Sequence, residues 1–363
     1  MNYLYHLYIE FLQKYGIPKL AGDITFYIIP FCIIAAVLLV VVLILVLAER
    51  KLLGFFTQRK GPNRVGLWGI LQTLADAFKL LCKENVTPKN ADRFLFNLAP
   101  ILVFIPVMTV LGIIPYSSEF TFVNSSTNII LYLVLAMFPV LSIFLGGWAS
   151  NNKYSLMGAM RAVAQVLSYE VPMTFVILSI VVLASSMNLT DITLAQYSRF
   201  GITGWFGIPC FIGFAIMFIC IIAELNRCPF DLPEAESELI CGYNTEYSGM
   251  RFAIFYLSEY AMLFANSIFL SILFLGGYLS PFGGYLSHMI WGDTQIANIL
   301  VYFEQAFWLF LKSGLIIFCI IWVRATLPRL ASFDLLKFSW KWLLPISVIN
   351  FFIMAVYKLG GAL

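Results

Sequence analysis

Six carboxylates stand close together in the stretch 223–247, AELNRCPFDLPEAESELICGYNTEY: Glu224, Asp231, Glu234, Glu236, Glu238 and Glu246. The chain is 61% apolar and only 11% charged, and this stretch adjoins long apolar runs. Ionisable groups at membrane depth or at its margin are costly to keep and mark ion, proton or ligand paths. Carboxylates suit such a path because burial favours their neutral form and a nearby cation their charged form, so small rearrangements move a proton on or off. A solvated acidic loop between two helices is the plainer reading of the same residues.

More polar groups sit inside apolar runs. In RAVAQVLSYEVP, Arg161, Gln165 and Ser168 follow one helical stripe at spacings of four and three, while Glu170 points elsewhere, over Val166 and Leu167. Such a stripe faces other helices or a water-filled cavity; for Arg161 a snorkelling position at a helix end stays open. Pro172 is expected to loosen the helix just after Glu170. Farther on, Glu259 and Asn266 share a helix face, and Glu259 lies deep enough in its apolar run to be a proton-relay candidate. Hydrogen bonding to a neighbouring helix is the alternative for Glu259.

These groups are held in a chain of 363 residues with a mean hydropathy of +0.90, which an ordinary soluble domain does not reach. The composition defines an integral, polytopic membrane protein. A net charge of +3 without a clustered basic motif sets nucleic acid aside as a partner. None of the seven cysteines pairs at the two-residue spacing of a zinc or iron–sulfur ligand set, and His6 and His288 are the only histidines, so no bound metal is expected. There is no phosphate loop with its lysine, no nucleophile with a base at a motif spacing and no nicotinamide or flavin fingerprint, so no catalytic residue is expected in this chain alone. Gly146-Gly147, Gly276-Gly277 and Gly283-Gly284 read as helix packing or turns. The first residues contain Lys14 and Lys19 but lack the short apolar core of a signal peptide.

A helical span takes about 20 mostly apolar residues. Eight are expected, at 24–48, 94–115, 128–149, 155–185, 204–225, 250–277, 303–323 and 340–357, the first stopping at Glu49-Arg50-Lys51. All must be helical, since irregular backbone cannot face lipid. The whole chain, 1–363, thus reads as one all-α membrane domain. Basic residues collect after the odd-numbered spans: Arg50, Lys51, Arg59, Lys60, Arg64, Lys79, Lys83, Lys89 and Arg93 first, then Lys153, Arg161, Arg227, Arg251, Arg324, Arg329, Lys337 and Lys341. The opposite connections hold only Arg199 before 204 and none at 276–303. These odd-numbered connections therefore face the cytoplasm or matrix, with both termini opposite. The acidic loop, 224–250, falls on the positive side.

Within the first connection, 49–93, RVGLWGILQTLADAFKLLCK has Leu67, Leu71, Leu74, Phe78 and Leu81 on one side and Gln72, Asp76, Lys79 and Lys83 on another, the pattern of an interfacial amphipathic helix. Before it, GFFTQRKGPNRVG is a shaped basic turn suited to lipid headgroups or to a partner protein.

Taken in order, AERKLLGFFTQRKGPNRVG, LADAFKLLCKE, RAVAQVLSYEVP, AELNRCPFDLPEAESELICGYNTEYSGMRF, the Glu259 of LSEYA, and RATLPR closely resemble the membrane subunit of respiratory complex I that forms the quinone site, which in mitochondria is NADH dehydrogenase subunit 1. The resemblance runs from about residue 24 to residue 357. It implies eight spans, docking of the matrix or cytoplasmic loops on the peripheral arm, and ubiquinone as substrate, with FMN and the iron–sulfur clusters in partner subunits. By matching position, it implies that Arg50, Arg59, Gly61, Pro62, Asp76, Arg161, Phe230 and Asp231 line the quinone chamber and its entrance. It likewise implies that Glu170, Glu224, Glu234, Glu236, Glu238, Glu246 and Glu259 couple quinone reduction to proton translocation through antiporter-like subunits, beside small membrane subunits and lipids. The chain departs from the family pattern in two places: Thr57 stands where Gln is usual, and Ala331 and Phe333 replace Arg and Asp unless one inserted residue restores Asp334.

The Phe-, Ile- and Tyr-rich composition suggests an AT-rich genome and a mitochondrial inner membrane, with a bacterial plasma membrane as the alternative. The rival readings are the membrane anchor of a related energy-converting hydrogenase or a ferredoxin- or deazaflavin-linked complex, and a free-standing ion transporter. No inverted repeat with paired broken helices favours the transporter.

Overall fold

The computed structural model describes residues 19–198, 201–233, 236–285, 287 and 295–360, and every regular element among them is a helix. Seven helices have the length and apolar character to cross a membrane. They belong to α1 (Lys19–Phe56), α3 (Arg93–Ile113), α4 (Asn128–Ala149), α5 (Lys153–Ala184), α9 (Gly249–Phe274), α10 (Gln295–Thr326) and the joined α11 (Ser332–Phe338) and α12 (Leu344–Leu359). The shorter helices are α2 (Gln72–Cys82), α6 (Leu189–Ala195), α7 (Phe211–Glu224) and α8 (Glu236–Leu239).

The fifth expected span, 204–225, is only partly helical. Helix α7 has 14 residues, about 21 Å of rise, because Gly204, Gly207 and Pro209 interrupt the run before it. That preceding segment turns back on the end of α9, where the Gly207 amide donates to the Phe274 carbonyl at 2.8 Å. Conversely, Glu49-Arg50-Lys51 does not end α1, which continues to Phe56. The amphipathic helix is also shorter than its pattern: Trp68 (φ 57°) and Gly69 (φ 77°) leave the helical region, so a 3-10 turn at Leu67–Gly69 precedes α2. Pro172 does not end α5, which runs on to Ala184.

Helix α9 is the axis of the bundle. Of its most apolar window 89% is buried inside the protein, against 17% for α1, and it packs on α1, α2, α3, α6, α7 and α10. A helix apolar all round belongs in such a central place. Helix α5 forms the second centre, packed on α4, α7 and α12. Small residues bring these backbones together: a Cβ on Gly147 of α4 would lie 2.4 Å from the Ala159 Cβ, and one on Gly158 of α5 would lie 2.8 Å from the Cα of Gly242. Asp92 and Asn152 cap α3 and α5 by accepting from Phe94 N and Tyr154 N at 3.1 and 3.0 Å.

Candidate functional site

The end of α1 carries the first part of the site. Because α1 continues past its charged triplet, Glu49 is carried into the protein and left only 2% exposed. It accepts from Arg227 Nη1 at 2.6 Å and from Arg324 Nη1. Arg227 is itself 2% exposed, has its Nε 3.4 Å from Glu259 Oε1, and sets its guanidinium 4.6 Å above the Tyr260 ring. Buried charges persist only when paired, and here two carboxylates and two guanidiniums neutralise one another. The cluster ties α1, the residues after α7, α9 and α10 at one point.

Next to it lies a cavity of about 60 Å³, whose lining includes Glu224, Asn226, Tyr243, Ser258 and Glu259 among apolar side chains. One water takes roughly 10–15 Å³ of such space, so several fit. Glu224 and Glu170 also share the wall of a second, smaller cavity with Tyr169, Met173 and Cys220. The carboxylate oxygens of Glu224 are shut off from solvent and form no closed hydrogen bond; Asn266 acts on them as a donor. Glu259, Glu224 and Glu170 therefore follow one another across two adjoining cavities, a row suited to passing a proton or an electrostatic change.

The other acidic candidates are placed differently. Glu246 accepts from Asn152 Nδ2 at 2.7 Å. Glu238 meets Arg161 at 2.5 Å, with 58% of its side chain exposed, so this is a surface pair. Glu236 opens the short helix α8, and Glu234 lies outside the described residues, as does Arg199.

The entrance candidates are joined pairwise. Arg50 reaches Asp76 of α2 at 2.5 Å, and Gln72 Nε2 donates to the same carboxylate at 3.3 Å. Burial raises the Asp76 pKa, but the hydrogen bond and charge of Arg50 outweigh it and hold the carboxyl below its ordinary value. The basic turn folds back on α1: Arg59 N donates to Gly54 O at 2.7 Å, and Gly61 packs so closely that a Cβ there would lie 3.1 Å from the Lys51 Cα. Pro62 is half-buried beside it, its carbonyl against Gly69. Phe230 is buried edge-on against Tyr169 of α5, and its carbonyl accepts from Gln165 at 2.8 Å. Asp231 pairs with Arg329 at 2.9 Å, which brings the divergent segment at the start of α11 to the same end of the bundle.

Several buried charged groups, in this site and at the other end of α9, escape sequence reasoning. Glu49 reads as the water-side end of a span, and Arg227 and Arg324 as loop cations. Lys312, in the middle of α10, is missed altogether; it is 4% exposed and donates to the carbonyls of Leu275, Gly277 and Leu279 at 2.6, 2.9 and 2.6 Å, over the Trp205 ring at 4.2 Å. A lysine that interrupts the apolar run 303–323 was a signal in the sequence.

The fold and these buried charges define an all-helical integral membrane protein with an internal row of acids, closed at one end by an ion-paired cluster. A family model described as NADH dehydrogenase matches residues 29–355. The chain is 44% identical over 314 residues to the H subunit of NADH-quinone oxidoreductase from Bacillus mycoides (strain KBAB4), covering 86% of this chain and 88% of that protein. It is 43% identical over 335 residues to the protein of that name in Brevibacillus brevis (strain 47), covering 92% and 94%. The chain belongs to the NADH dehydrogenase family. These relatives are bacterial and give no support to the mitochondrial inner membrane read from composition.

Proposed function

We propose that this chain is the membrane subunit of a proton-translocating NADH:quinone oxidoreductase of a bacterial plasma membrane, and that it forms the membrane side of the quinone site. The observation that carries this reading is the row Glu259, Glu224 and Glu170 across two adjoining cavities, beside a buried ion-pair cluster at the positive end of the bundle. Electrons come from iron–sulfur clusters of the peripheral arm, with FMN upstream, and quinone takes them together with protons. The charge change is felt by carboxylates in low dielectric, where screening is weak. They respond as a coupled group. Arg50, Arg59, Gly61, Pro62, Asp76, Arg161, Phe230 and Asp231 shape the chamber and its entrance in this reading, and antiporter-like subunits receive the signal.

Glu224→Gln and Glu236→Gln are expected to depress coupled quinone reductase activity while the complex stays assembled and electron transfer from NADH to an artificial acceptor continues. Normal quinone reduction and pumping in both variants would sink the acidic-path reading. A photoreactive quinone analogue should label the purified complex, with protection by added quinone; absence of protection would favour the anchor of an energy-converting hydrogenase. Ion flux from the chain alone in liposomes would favour a transporter.

A further inference from the structure

Beside the row of acids stand two side chains that the ion-paired cluster does not use. Tyr132 of α4 is fully buried, with its ring stacked on Phe269 of α9 at a centroid distance of 3.6 Å. Its hydroxyl donates to Oδ1 of Asn266, one turn earlier on α9, and Asn266 is also fully buried. The Nδ2 group of Asn266 has no closed hydrogen bond of its own, and Glu224 is the carboxylate on which it acts. An amide NH2 group only donates. With Oδ1 held by Tyr132, a flipped amide would set oxygen against the charged carboxylate of Glu224.

We propose that Tyr132 and Asn266 are positioning residues for Glu224: Tyr132 fixes the amide so that its NH2 group faces the carboxylate and receives it when the proton has left. The stacked Phe269 holds the Tyr132 ring, so the orientation is set by packing as well as by the hydroxyl. The proton of Glu224 is then released toward an existing donor rather than into an apolar wall. The inference rests on the reading that Glu224 changes protonation during turnover. Other titratable groups facing Glu224 are Cys220 one turn back on α7, Tyr169 and Glu170 of α5, Tyr243 of the 242–244 turn and Glu259 of α9. No cation is among them, and Asn266 is the amide that acts on the Glu224 carboxylate.

The test uses the assembled complex in four forms: unaltered, Tyr132→Phe, Asn266→Leu and Glu224→Gln. The infrared carbonyl band of protonated carboxyls is followed against pH, together with the pH profile of quinone reductase activity. Glu224→Gln should remove one band and most of the activity. Tyr132→Phe and Asn266→Leu should keep that band but move its midpoint, and the activity profile with it, toward alkaline pH by about one unit. Tyr132→Phe preserves the ring stack, so loss of packing does not produce this shift. An unmoved band and profile in both variants, with Glu224→Gln inactive, would overturn the positioning role alone. Normal activity in Glu224→Gln would overturn the underlying reading instead. Failure of both positioning variants to assemble would make the pair a packing device and would also overturn the proposal.

Discussion

Glu49 of α1 and Arg227, just past the end of α7, lie 178 positions apart in the chain and share a 2.6 Å hydrogen bond with both side chains buried. Arg324 closes the pair from α10, and Glu259 approaches Arg227 from α9. Removing one member leaves the others charged and uncompensated in low dielectric, where a broken pair costs about 3–5 kcal/mol. Glu49→Gln is therefore expected to lower the thermal unfolding temperature of the detergent-solubilised complex and to reduce the amount assembled. Unchanged melting and yield would show that the cluster contributes no stability.

The Arg50–Asp76 pair fastens α2 to the end of α1. The Asp76 pKa is lowered in the folded protein, so its contribution is fully present above the ordinary aspartate pKa of about 4 and is lost as pH falls through the lower folded value. Both groups are partly exposed, which limits the pair to a small contribution. Asp76→Asn at neutral pH should reproduce the loosening, with up to about fivefold faster hydrogen exchange in Gln72–Cys82. Exchange equal to that of the unaltered protein would show that the apolar face alone holds this helix.

Lys312 holds three carbonyls beyond the end of α9, and three hydrogens on its ammonium match them. Lys312→Met fills the space but leaves those acceptors without their donor, at about 1–3 kcal/mol for each left unsatisfied. The expected result is a lower melting temperature and easier proteolysis at 275–285. Lys312→Arg should not restore stability, because a planar fork does not converge on three oxygens as an ammonium does.

Gly158 lets the turn Gly242–Asn244 lie against α5, which places Tyr243 in the cavity wall. A Cβ there meets backbone at 2.8 Å, and backbone has no rotamer with which to retreat. Gly158→Ala should destabilise this contact by about 1–3 kcal/mol and reduce quinone reductase activity. Activity and melting temperature equal to those of the unaltered complex would count against that placement.

Sequence alone determined the membrane class, the all-helical fold, the family and most of the acids, because these depend on local quantities. The length of an apolar run fixes where a crossing helix forms: the expected span at 128–149 coincides with α4. Carboxylates in such surroundings are conspicuous because burying charge is costly. The limits of this reading fall where a partner distant in sequence decides the outcome. Glu49 has the same apolar run before it whether it ends in water or between two arginines, and only packing of α1 against α9 and α10 selects the second. In the same way, Glu259 and Asn266 share a helix face by spacing, but which of them meets Arg227 and which meets Tyr132 and Glu224 depends on the neighbouring helices. Periodicity states which side of a helix is polar. Tertiary structure decides what that side faces, because ion pairs and hydrogen bonds form over a few ångströms between residues that the chain itself keeps far apart.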